Sequence, residues 1–595
     1  MSKSSMGEFT SEAKLKKQSI FRIMKSTWRV AAPYWTQSEE RFGSIFLLAL
    51  SVGVMLLGNA FNLRYVIWSA DWTNLLVNKD VLAWRQNIIV FLILGLTMTI
   101  SSVIQSYLVS WVQLRWKRWM TSSYLKMWLD KKSHYKMSLT GNETDNPDQR
   151  LSEDIAMFIL NAWTIVFDLA RNLISMVTYI IVLWGYSNVP VEIGGKNIAF
   201  PGYLVLMSFI WAAVTTLISH YNGKKISRLT FSQQMYDANF RFSLMRVREN
   251  SEQVALLKGE GVEHKRLMSI LGDSVLNSFR MMAVNLRFGM VNGMLSYVDA
   301  MMFTFVLGPA WLWLGGIADY GTFQLIATAF LNVVTAFKWI QTQYVSLSVY
   351  VAVTDRLVAF NENYIAMKKV SEGSELERVY AETDDIDIKD LDIYLPNGNL
   401  QIKAEAVDIK PGDKVLVKGR TGSGKTTLFR VLSGIWPFAK GKVTLPQDKR
   451  VLVLPQRPYF PIATLEEAVS YPASVGTYKR DKIRQAIIDV GMPQFADRLD
   501  EIQHWNMILS GGEQQRLGIA RAMLFQPEYL FFDEATASMD EESESEIYTM
   551  LLDRMKDTTI ISIGHRSSMQ QFHKRLLYAE SATPGKTVPP FKLVE

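Results

Sequence analysis

The sequence has 595 residues, no cysteine and a formal net charge of +7, with 49% hydrophobic and 20% charged residues. The absence of cysteine excludes disulfides, thiolate zinc sites, iron–sulfur clusters and a cysteine nucleophile. A chain of this length would hold about four soluble domains, but charged side chains are sparse in 45–68 and dense in 533–557, which predicts a lipid-facing part followed by a water-soluble part.

The net positive charge does not indicate nucleic-acid binding. A nucleic-acid surface needs basic residues gathered on one folded face together with stacking aromatic side chains. Here many lysines and arginines flank apolar segments instead. We therefore interpret them as membrane-topology charges and predict no nucleic-acid partner.

The chain begins with a basic, amphipathic segment. Within a predicted cytoplasmic N-terminal region, 1–42, residues 19–35 mix apolar side chains such as Met24 and Trp28 with Arg22 and Lys25. The region has no uninterrupted apolar core of the kind a signal peptide requires. We expect a helix along the inner membrane surface. A disordered basic tail is the alternative.

Six stretches satisfy the rule of about 20 mostly apolar residues per membrane span. They lie in a predicted transmembrane domain, 43–355, at 45–68, 88–112, 158–184, 203–219, 289–314 and 323–344. Lysine and arginine are abundant before the first span and in the connections 113–157 and 222–287, but scarce in the other connections. This distribution places both termini and the two long connections in the cytoplasm.

The second long connection has a helical pattern. Apolar residues in 235–262, including Phe240, Leu244 and Val247, recur at three- to four-residue steps. The pattern predicts that spans four and five continue as helices into the cytosol.

Ionisable residues inside membrane spans are costly, so they mark candidate positions of a transport pathway. Asp168 and Arg171 lie three residues apart on one predicted helix and can neutralise each other as a structural pair. Asp299 and Lys338 have no local partner, so they either pair across spans five and six or line a polar route. Arg64 in the first span is the remaining candidate.

The composition changes after the last span. Residues 356–384 are predicted to be a linker, since 371–385 are acidic and lack a long apolar run. From 385 to 595 the sequence alternates short predicted strands and helices, which is typical of an α/β domain.

A phosphate-binding loop lies between a β-branched run, 415–417, and a helical run, 428–432. Its glycines allow backbone N–H groups to point at phosphates at a helix N-terminus. We expect Lys425 to reach the β- and γ-phosphates of ATP and the Thr426 hydroxyl to bind Mg²⁺. The residues predicted to contact the nucleotide here are Gly419, Arg420, Thr421, Gly422, Ser423, Gly424, Lys425, Thr426 and Thr427.

A second apolar run, 528–532, ends in two acids, Asp533 and Glu534. Carboxylates at the end of a buried strand suit a cation and a water molecule. Asp533 can therefore hold Mg²⁺, and Glu534 can polarise the attacking water.

Between these motifs the sequence reads Leu509, Ser510, Gly511, Gly512, Glu513, Gln514, Gln515 and Arg516. This run matches the signature motif of the ATP-binding-cassette (ABC) family, which the chain resembles from residue 385 to the C-terminus. The resemblance assigns Gln456 to the Q-loop, where it also serves as a metal ligand, Asp540 to the D-loop and His565 to the switch position. All three are implied to act in catalysis.

The same resemblance implies a dimer. In this family two cassettes enclose two ATP molecules, and the signature helix of one copy caps the γ-phosphate bound to the other. Ser510, Gly511 and Gly512 would make that contact here. A chain with one cassette is thus implied to work as a homodimer with twelve spans in total.

The adenine contact departs from the family pattern. Members usually stack adenine on an aromatic residue just before a proline in the first strand, where this sequence has Leu395. The neighbouring Tyr394 would point to the other strand face. We predict Tyr459 as the alternative stacking partner, although a purely structural tyrosine fits either place equally.

Two loop motifs, 146–155 and 248–260, resemble those of one branch of the family. This branch contains the peroxisomal fatty-acyl transporters and the bacterial SbmA/BacA-like peptide transporters, with their YddA- and BclA-like relatives. There the loops are expected to contact the cassettes and transmit their closure. The alternative is that both are polar stretches of solvated helix.

Together these resemblances imply an exporter-type membrane domain joined to an α/β P-loop nucleotide-binding domain. The implied activity is ATP hydrolysis coupled to transport across the bacterial inner membrane, in contact with membrane lipid. The predicted cargo is a peptide-like or other amphipathic solute, with acyl thioesters, lipids or cobalamin-like molecules as alternatives. An ATP-gated channel or regulator is the rival from another functional class.

Overall fold

The computed structural model describes residues 20–139, 147–187, 191–193, 196–198, 201–314, 319–420, 422–579 and 591–594. The chain divides into two compact units. The first, here called the membrane unit, combines the chain up to Lys126 with Asn146–Asn361, and the second, the cassette unit, combines Met127–Asp145 with Glu362–Glu595.

Long helices form the membrane part, as the apolar periodicity predicts. In chain order they are Ile20–Gln37, Arg41–Val77, Val81–Leu129, Pro147–Gln149, Ile155–Gly185, Tyr203–Glu249, Ser251–Leu256, Glu260–Leu314, Tyr320–Thr342 and Tyr344–Glu372. A short antiparallel hairpin, Val191–Ile193 with Lys196–Ile198, lies between two of them. Side chains from four helices, including Val66, Tyr179, Leu204 and Phe330, form a common buried core.

Within the described part of the chain, five helices are long and apolar enough to cross a membrane. Four of them, Arg41–Val77, Val81–Leu139, Pro147–Gly185 and Tyr203–Glu249, contain the predicted spans one to four, and the fifth, Tyr320–Trp339, covers most of the predicted sixth span. The predicted fifth span, 289–314, lies in the helix Glu260–Leu314. The side chains of 303–314 are outside the described part.

The N-terminal segment is helical from Ile20 to Gln37. One face packs inward through Val30, Ala31 and Tyr34, while Met24 and Trp28 are 66% and 63% exposed. The amphipathic helix is therefore present, and its attachment to a membrane surface stays a prediction.

The prediction that spans four and five continue as helices is confirmed. Tyr203–Glu249 and Glu260–Leu314 far exceed the length of one span, and they pack side by side. Between them the chain breaks its helical path at Asn250 and again near Lys258, which has φ 53°. The break falls inside the second loop motif.

The first loop motif contains a buried ion cluster. Arg150–Asp154 forms a π-helical turn, an irregularity that is common at functional sites. The Asp154 carboxylate is 0% exposed and accepts from Arg150 Nη1 at 2.8 Å, from Arg356 Nε at 2.8 Å and from Arg356 Nη2 at 2.6 Å. This motif therefore binds the helix that follows the last span.

The predicted linker, 356–384, contains regular secondary structure. The helix Tyr344–Glu372 continues through its first half, and the strand Leu376–Ala381 occupies most of the rest. The acidic residues that suggested a linker lie mainly in the short turns on either side of that strand. The low hydropathy of these residues reflects their exposure to solvent. A solvated helix end, an edge strand and a linker are all exposed in this way.

The α/β prediction for the cassette is confirmed. One sheet has six strands in the order Lys592–Val594, Arg575–Ala579, Lys414–Gly419, Thr559–Ile563, Tyr529–Asp533 and Val451–Leu454, all parallel except the antiparallel edge strand Lys592–Val594. A four-stranded sheet has the order Leu376–Ala381, Ala439–Pro446, Ile386–Tyr394 and Leu400–Ile409. A two-residue pairing joins Ala463–Thr464 to Ile502–Gln503.

Helices cover these sheets. They are Lys425–Leu432, Leu465–Ser470, Arg480–Asp489, Trp505–Ile508, Gly511–Phe525 and Glu541–Arg554, with 3-10 turns at Pro493–Phe495 and Ser567–Phe572. Because parallel strands bury both faces, they are almost wholly apolar. The strand Thr559–Ile563 is buried at every position.

Part of the first long connection belongs to the cassette unit. A 3-10 turn, Asp130–Lys132, leads into the helix Ser133–Leu139. Lys132 Nζ donates to the Ser433 carbonyl at 2.8 Å, at the C-terminal end of the helix Lys425–Leu432, and Leu139 packs on the core of the cassette. The C-terminal end of a helix carries partial negative charge, so the Lys132 ammonium stabilises it.

Replacing Asp154 by Ala should destabilise the membrane unit. Two guanidinium groups would lose a buried counter-charge, a change that typically costs about 3 kcal/mol or more. We expect a clear fall in the thermal unfolding midpoint of the detergent-purified protein. Glu153→Ala is the matched control, since Glu153 is exposed and should change stability by less than about 0.5 kcal/mol. Equal midpoints for both variants would show that the cluster contributes nothing.

Candidate functional site

The phosphate loop connects an inner strand of the six-stranded sheet to a helix. The strand Lys414–Gly419 ends where the loop begins, and the helix starts at Lys425. Gly422 and Gly424 have φ of 84° and 92°, a left-handed conformation that favours glycine. A Cβ atom at Gly424 would also lie 2.6 Å from the Ile402 side chain. The glycines are therefore required by conformation and space, and Thr421 lies outside the described residues.

The loop presents donors to an anion. Lys425 Nζ donates to the carbonyl oxygens of Gly419 at 2.9 Å and Arg420 at 3.1 Å. Burial lowers the pKa of Lys425, an effect opposed by the nearby carboxylates of Glu534 and Asp533. The Ser423 hydroxyl is buried and has no hydrogen-bond partner among the described residues. A phosphate oxygen would supply the acceptor that this hydroxyl lacks, so the residues present fit a bound triphosphate.

The two predicted magnesium ligands are in contact. Thr426 Oγ1 donates to Asp533 Oδ1 at 2.9 Å, because the strand Tyr529–Asp533 ends at the same edge of the sheet as the phosphate loop. Burial is the main cause that raises the pKa of Asp533, and the Glu534 charge adds to it. A hydroxyl and a carboxylate oxygen side by side suit Mg²⁺, which takes few protein ligands and completes its shell with phosphate and water oxygens.

Three predicted catalytic residues meet at one carboxylate. Glu534 Oε2 accepts from Gln456 Nε2 at 3.1 Å, and Glu534 Oε1 lies 3.2 Å from His565 Nε2. The three residues follow three different strands of the sheet, which explains why distant sequence positions converge. Glu534 itself has φ 53°, an unusual conformation for a residue with a side chain.

The signature run begins a helix, as predicted. Ser510 caps Gly511–Phe525 through a capping box, in which its hydroxyl accepts from Glu513 N at 3.3 Å and its own N–H donates to Glu513 Oε2 at 2.9 Å. Gly511 and Gly512 leave the remaining first-turn N–H groups uncovered by side chains. This helix end is a second potential anion site.

Asp540 has a structural role in the structure. Its carboxylate accepts from Ser543 N at 2.8 Å and Ser543 Oγ at 3.0 Å and so caps the helix Glu541–Arg554. Those hydrogen bonds hold the pKa of Asp540 below its usual value. A contribution of Asp540 to catalysis stays a prediction.

The adenine contact is also untested. The Tyr459 side chain is 58% exposed, its ring meets Tyr471 edge to face at 5.4 Å, and its carbonyl accepts from Arg521. Leu395 lies in the turn that joins two strands of the four-stranded sheet, where its carbonyl accepts from Gly398 N. Tyr459 thus has an exposed ring face, as stacking requires.

Of the predicted pathway residues, Asp299 and Lys338 form a pair inside the membrane unit. Lys338 Nζ lies 2.6 Å from Asp299 Oδ2, and both side chains are 17% exposed. Trp211 Nε1 donates to the other carboxylate oxygen at 2.7 Å. The helices that carry the predicted spans four, five and six are therefore joined at Asp299. Of the two alternatives for Asp299 and Lys338, the structure shows the pair across spans five and six.

The predicted structural pair of Asp168 and Arg171 is not present as an ion pair. Within the described part of the chain no ion pair joins these two side chains or links either of them to another residue. Asp168 is half-buried and Arg171 is exposed. Arg64 is likewise exposed and forms no ion pair with a described residue.

Sequence reasoning missed two partners in these sites. Trp211 is not among the predicted site residues, and only its distance to Asp299 reveals the hydrogen bond. Arg566 follows His565 directly and donates to the Met539 carbonyl at 2.6 Å, next to Asp540. Its position beside the switch histidine was the only available signal.

Comparison with known proteins gives matches in both the membrane unit and the cassette unit. The family model "ABC transporter transmembrane region 2" matches residues 37–309, and the model "ABC transporter" matches 402–537. The inner membrane ABC transporter ATP-binding protein YddA of Escherichia coli is 26% identical over 542 residues, covering 90% of this chain and 93% of that protein. The human lysosomal cobalamin transporter ABCD4 is 26% identical over 553 residues, covering 85% and 87%.

A solved structure supports the fold. A bacterial Atm1-family ABC exporter with ATP bound superposes with a TM-score of 0.68, at 16% sequence identity, covering 90% of this chain and 94% of that one. The exporter fold prediction is confirmed. One chain thus matches a transmembrane-region model and an ABC transporter model, the combination found in ABC half-transporters, and it is similar to YddA and to a human member of sub-family D.

The pair of Asp299 and Lys338 generates a double-mutant test. Asp299→Leu alone should lower the thermal unfolding midpoint, since the Lys338 ammonium would lose its counter-charge in an apolar region. Removing one partner of a buried pair costs about 3–5 kcal/mol, whereas replacing both partners by apolar residues is often neutral.

The variant Asp299→Leu with Lys338→Met should therefore recover most of the loss. Thermal unfolding of the two single variants and the double variant measures the coupling. Additive losses would mean that the two side chains do not interact.

Proposed function

We propose that the protein is an ATP-driven pump that works as a homodimer and moves a peptide-like or other amphipathic solute across the bacterial inner membrane. The observation that carries the ATPase part is the Glu534 carboxylate held between Gln456 and His565. This cluster lies next to the contact of Thr426 with Asp533. General base, metal ligands and phosphate loop are therefore at one edge of one sheet.

Each residue has a defined task in hydrolysis. The phosphate-loop N–H groups and Lys425 bind the β- and γ-phosphates of ATP, while Thr426, Asp533 and Gln456 would hold Mg²⁺. When bound, Mg²⁺ neutralises charge on the transferring phosphoryl group. Glu534 accepts a hydrogen bond from the attacking water and orients it. His565 and Gln456 fix that carboxylate through its two oxygens.

The signature helix supports the dimer. Ser510 uses its side chain in the capping box, and the glycines after it leave backbone N–H groups for an anion. A second copy would bring its own phosphate-bound nucleotide to this helix end, so each ATP would be enclosed by two chains. ATP binding would then close the cassettes and hydrolysis would release them.

The membrane unit supplies the proposed path. Asp299, Lys338 and Trp211 place a charge pair and an indole N–H among three helices. A buried pair of this kind is costly in lipid and usually serves a partner or a route. It suits a solute with polar or charged groups, and the resemblance to SbmA/BacA-like transporters favours peptides over acyl thioesters, lipids or cobalamin.

Glu534→Gln should retain ATP binding and lose hydrolysis, because the amide has the size of the carboxylate but cannot act as a base. Loss of a positioned base typically lowers turnover about 10²–10⁴-fold. The variant should accumulate as an ATP-stabilised dimer in size-exclusion chromatography, while Lys425→Ala should neither bind nor hydrolyse ATP. Wild-type turnover by Glu534→Gln, or full activity from an isolated monomer, would contradict this assignment.

The transport part predicts ATP-dependent accumulation in proteoliposomes. We would compare uptake of labelled peptides, acyl-chain lipids and cobalamin against a gradient, with Lys425→Ala as the inactive control. A pump concentrates one of these solutes, whereas a channel or regulator only dissipates an existing gradient. The double variant at Asp299 and Lys338 should hydrolyse ATP but transport a charged peptide poorly.

A further inference from the structure

Gln515 makes an unusual set of hydrogen bonds for one side chain. It lies on the signature helix and is 2% exposed. Its Nε2 donates to the carbonyl oxygens of Gln456 at 3.1 Å and Glu534 at 3.4 Å, and its Oε1 accepts from Ser538 N at 2.9 Å. One amide thus uses its donor and acceptor atoms on two loops of the cassette, the one that contains Gln456 and the one that contains Glu534 and Ser538.

The same helix face follows the Q-loop further. Gly518, three residues along, lies so close to Pro458 that a Cβ atom there would be 3.0 Å from the proline ring. Arg521, after another three residues, donates to the Tyr459 carbonyl at 3.0 Å and to the Ala468 carbonyl at 2.7 Å. Burial lowers the pKa of Arg521 to about 10. This face of the signature helix is therefore fixed to the Q-loop.

The N-terminal end of the helix contacts the D-loop. Cβ atoms at Gly511 and Gly512 would lie 3.2 Å from Ser538 Oγ and 3.3 Å from Ser538 O. The backbone of Ser538 is thus held by glycine contacts on one side and by Gln515 on the other. A shift of the helix end would move the D-loop with it.

We propose that Gln515 is a positioning residue that couples the two ATP sites of the dimer. This inference rests on the proposed function, in which the Ser510 helix end meets the nucleotide bound by the partner copy. Gln456 and Glu534 serve the nucleotide of their own copy. The Gln515 amide links the Ser510 helix to the loops that carry Gln456 and Glu534. Docking of the helix end on the partner's nucleotide therefore aligns Glu534 beside the nucleotide of its own copy.

All three hydrogen bonds of Gln515 are made to main-chain atoms, so this side chain positions the backbone of the two loops. The Glu534 carbonyl and the Ser538 N–H flank the turn that follows the strand Tyr529–Asp533, and Gln515 spans this turn. Without the amide the phosphate loop would still bind ATP through Lys425. Alignment of Glu534 would no longer depend on closure over the second site.

Gln515→Met tests the proposal, since methionine has a similar size and shape and removes all three hydrogen bonds. We expect turnover to fall about tenfold or more while KM for ATP changes little, the pattern of an interaction used mainly in the transition state. We also expect the Hill coefficient for ATP to fall from about 2, its upper limit with two sites, toward about 1. Steady-state ATPase assays on the reconstituted full chain measure all three quantities.

Gln485→Met is the matched control. Gln485 is exposed on another helix and its Nε2 donates to Asp489 Oδ1 at 2.8 Å, far along the sequence from the site residues, so turnover and cooperativity should remain those of the wild type. Gln515→Glu is the second variant, to be used also if the methionine variant does not fold. It keeps an acceptor for Ser538 N and loses both donors, so it should also uncouple the sites.

The outcomes separate this inference from the proposed function. Cooperative ATP hydrolysis by the wild type, its loss in Lys425→Ala and uncoupled hydrolysis in both Gln515 variants support both. A cooperative wild type with Gln515 variants that match its turnover and Hill coefficient, even if their unfolding midpoints fall, overturns the inference alone. A wild type that hydrolyses ATP as an independent monomer overturns the proposed function.

Discussion

The charge of a bound triphosphate is the constraint on which the cassette depends. One helix N-terminus and one lysine offset only part of it, since a helix end contributes about half a unit charge. The structure supplies the Lys425 ammonium, the glycine loop and an oxygen pair at Thr426 and Asp533 suited to a cation. A second helix end at Ser510 lies elsewhere in the same chain. In the proposed homodimer the partner copy would bring its Ser510 helix end to this triphosphate, which would tie ATP binding to dimer formation.

The same electrostatic rule governs the membrane unit. Asp154, which is buried, and Asp299, which is largely buried, each have a cationic partner on a different helix. Asp154 has two guanidinium partners at the start of a span, whereas Asp299 shares one ammonium and one indole N–H. Because burial penalises an unpaired charge, each pair holds helices together only in arrangements that keep both partners in contact. Such pairs favour discrete helix arrangements.

Local patterns predicted the elements but not all of their partners. The phosphate loop, Asp533, Glu534 and the signature helix could be identified because each motif has its own spacing along the chain. The contact of Lys338 with Asp299 could only be left as an alternative, because helix periodicity does not fix which faces of two spans meet. The same limit applies to Asp168 and Arg171, where helical spacing permits a pair but does not require one. The helix and the strand within the predicted linker could not be foreseen because exposed helix and irregular chain share a polar composition.

The backbone of Glu534 shows how the site is held ready for catalysis. Its φ of 53° is a conformation that costs a residue with a side chain roughly 1–2 kcal/mol, and such outliers persist only where surrounding contacts enforce them. The contacts here are known: Gln515 binds the carbonyl of Glu534, while Gln456 and His565 bind its carboxylate. The turn therefore directs the carboxylate away from the strand and toward the phosphate edge. The residues that hold this conformation are the ones that the proposed coupling uses, so under that proposal the geometry of Glu534 would depend on closure over both nucleotides.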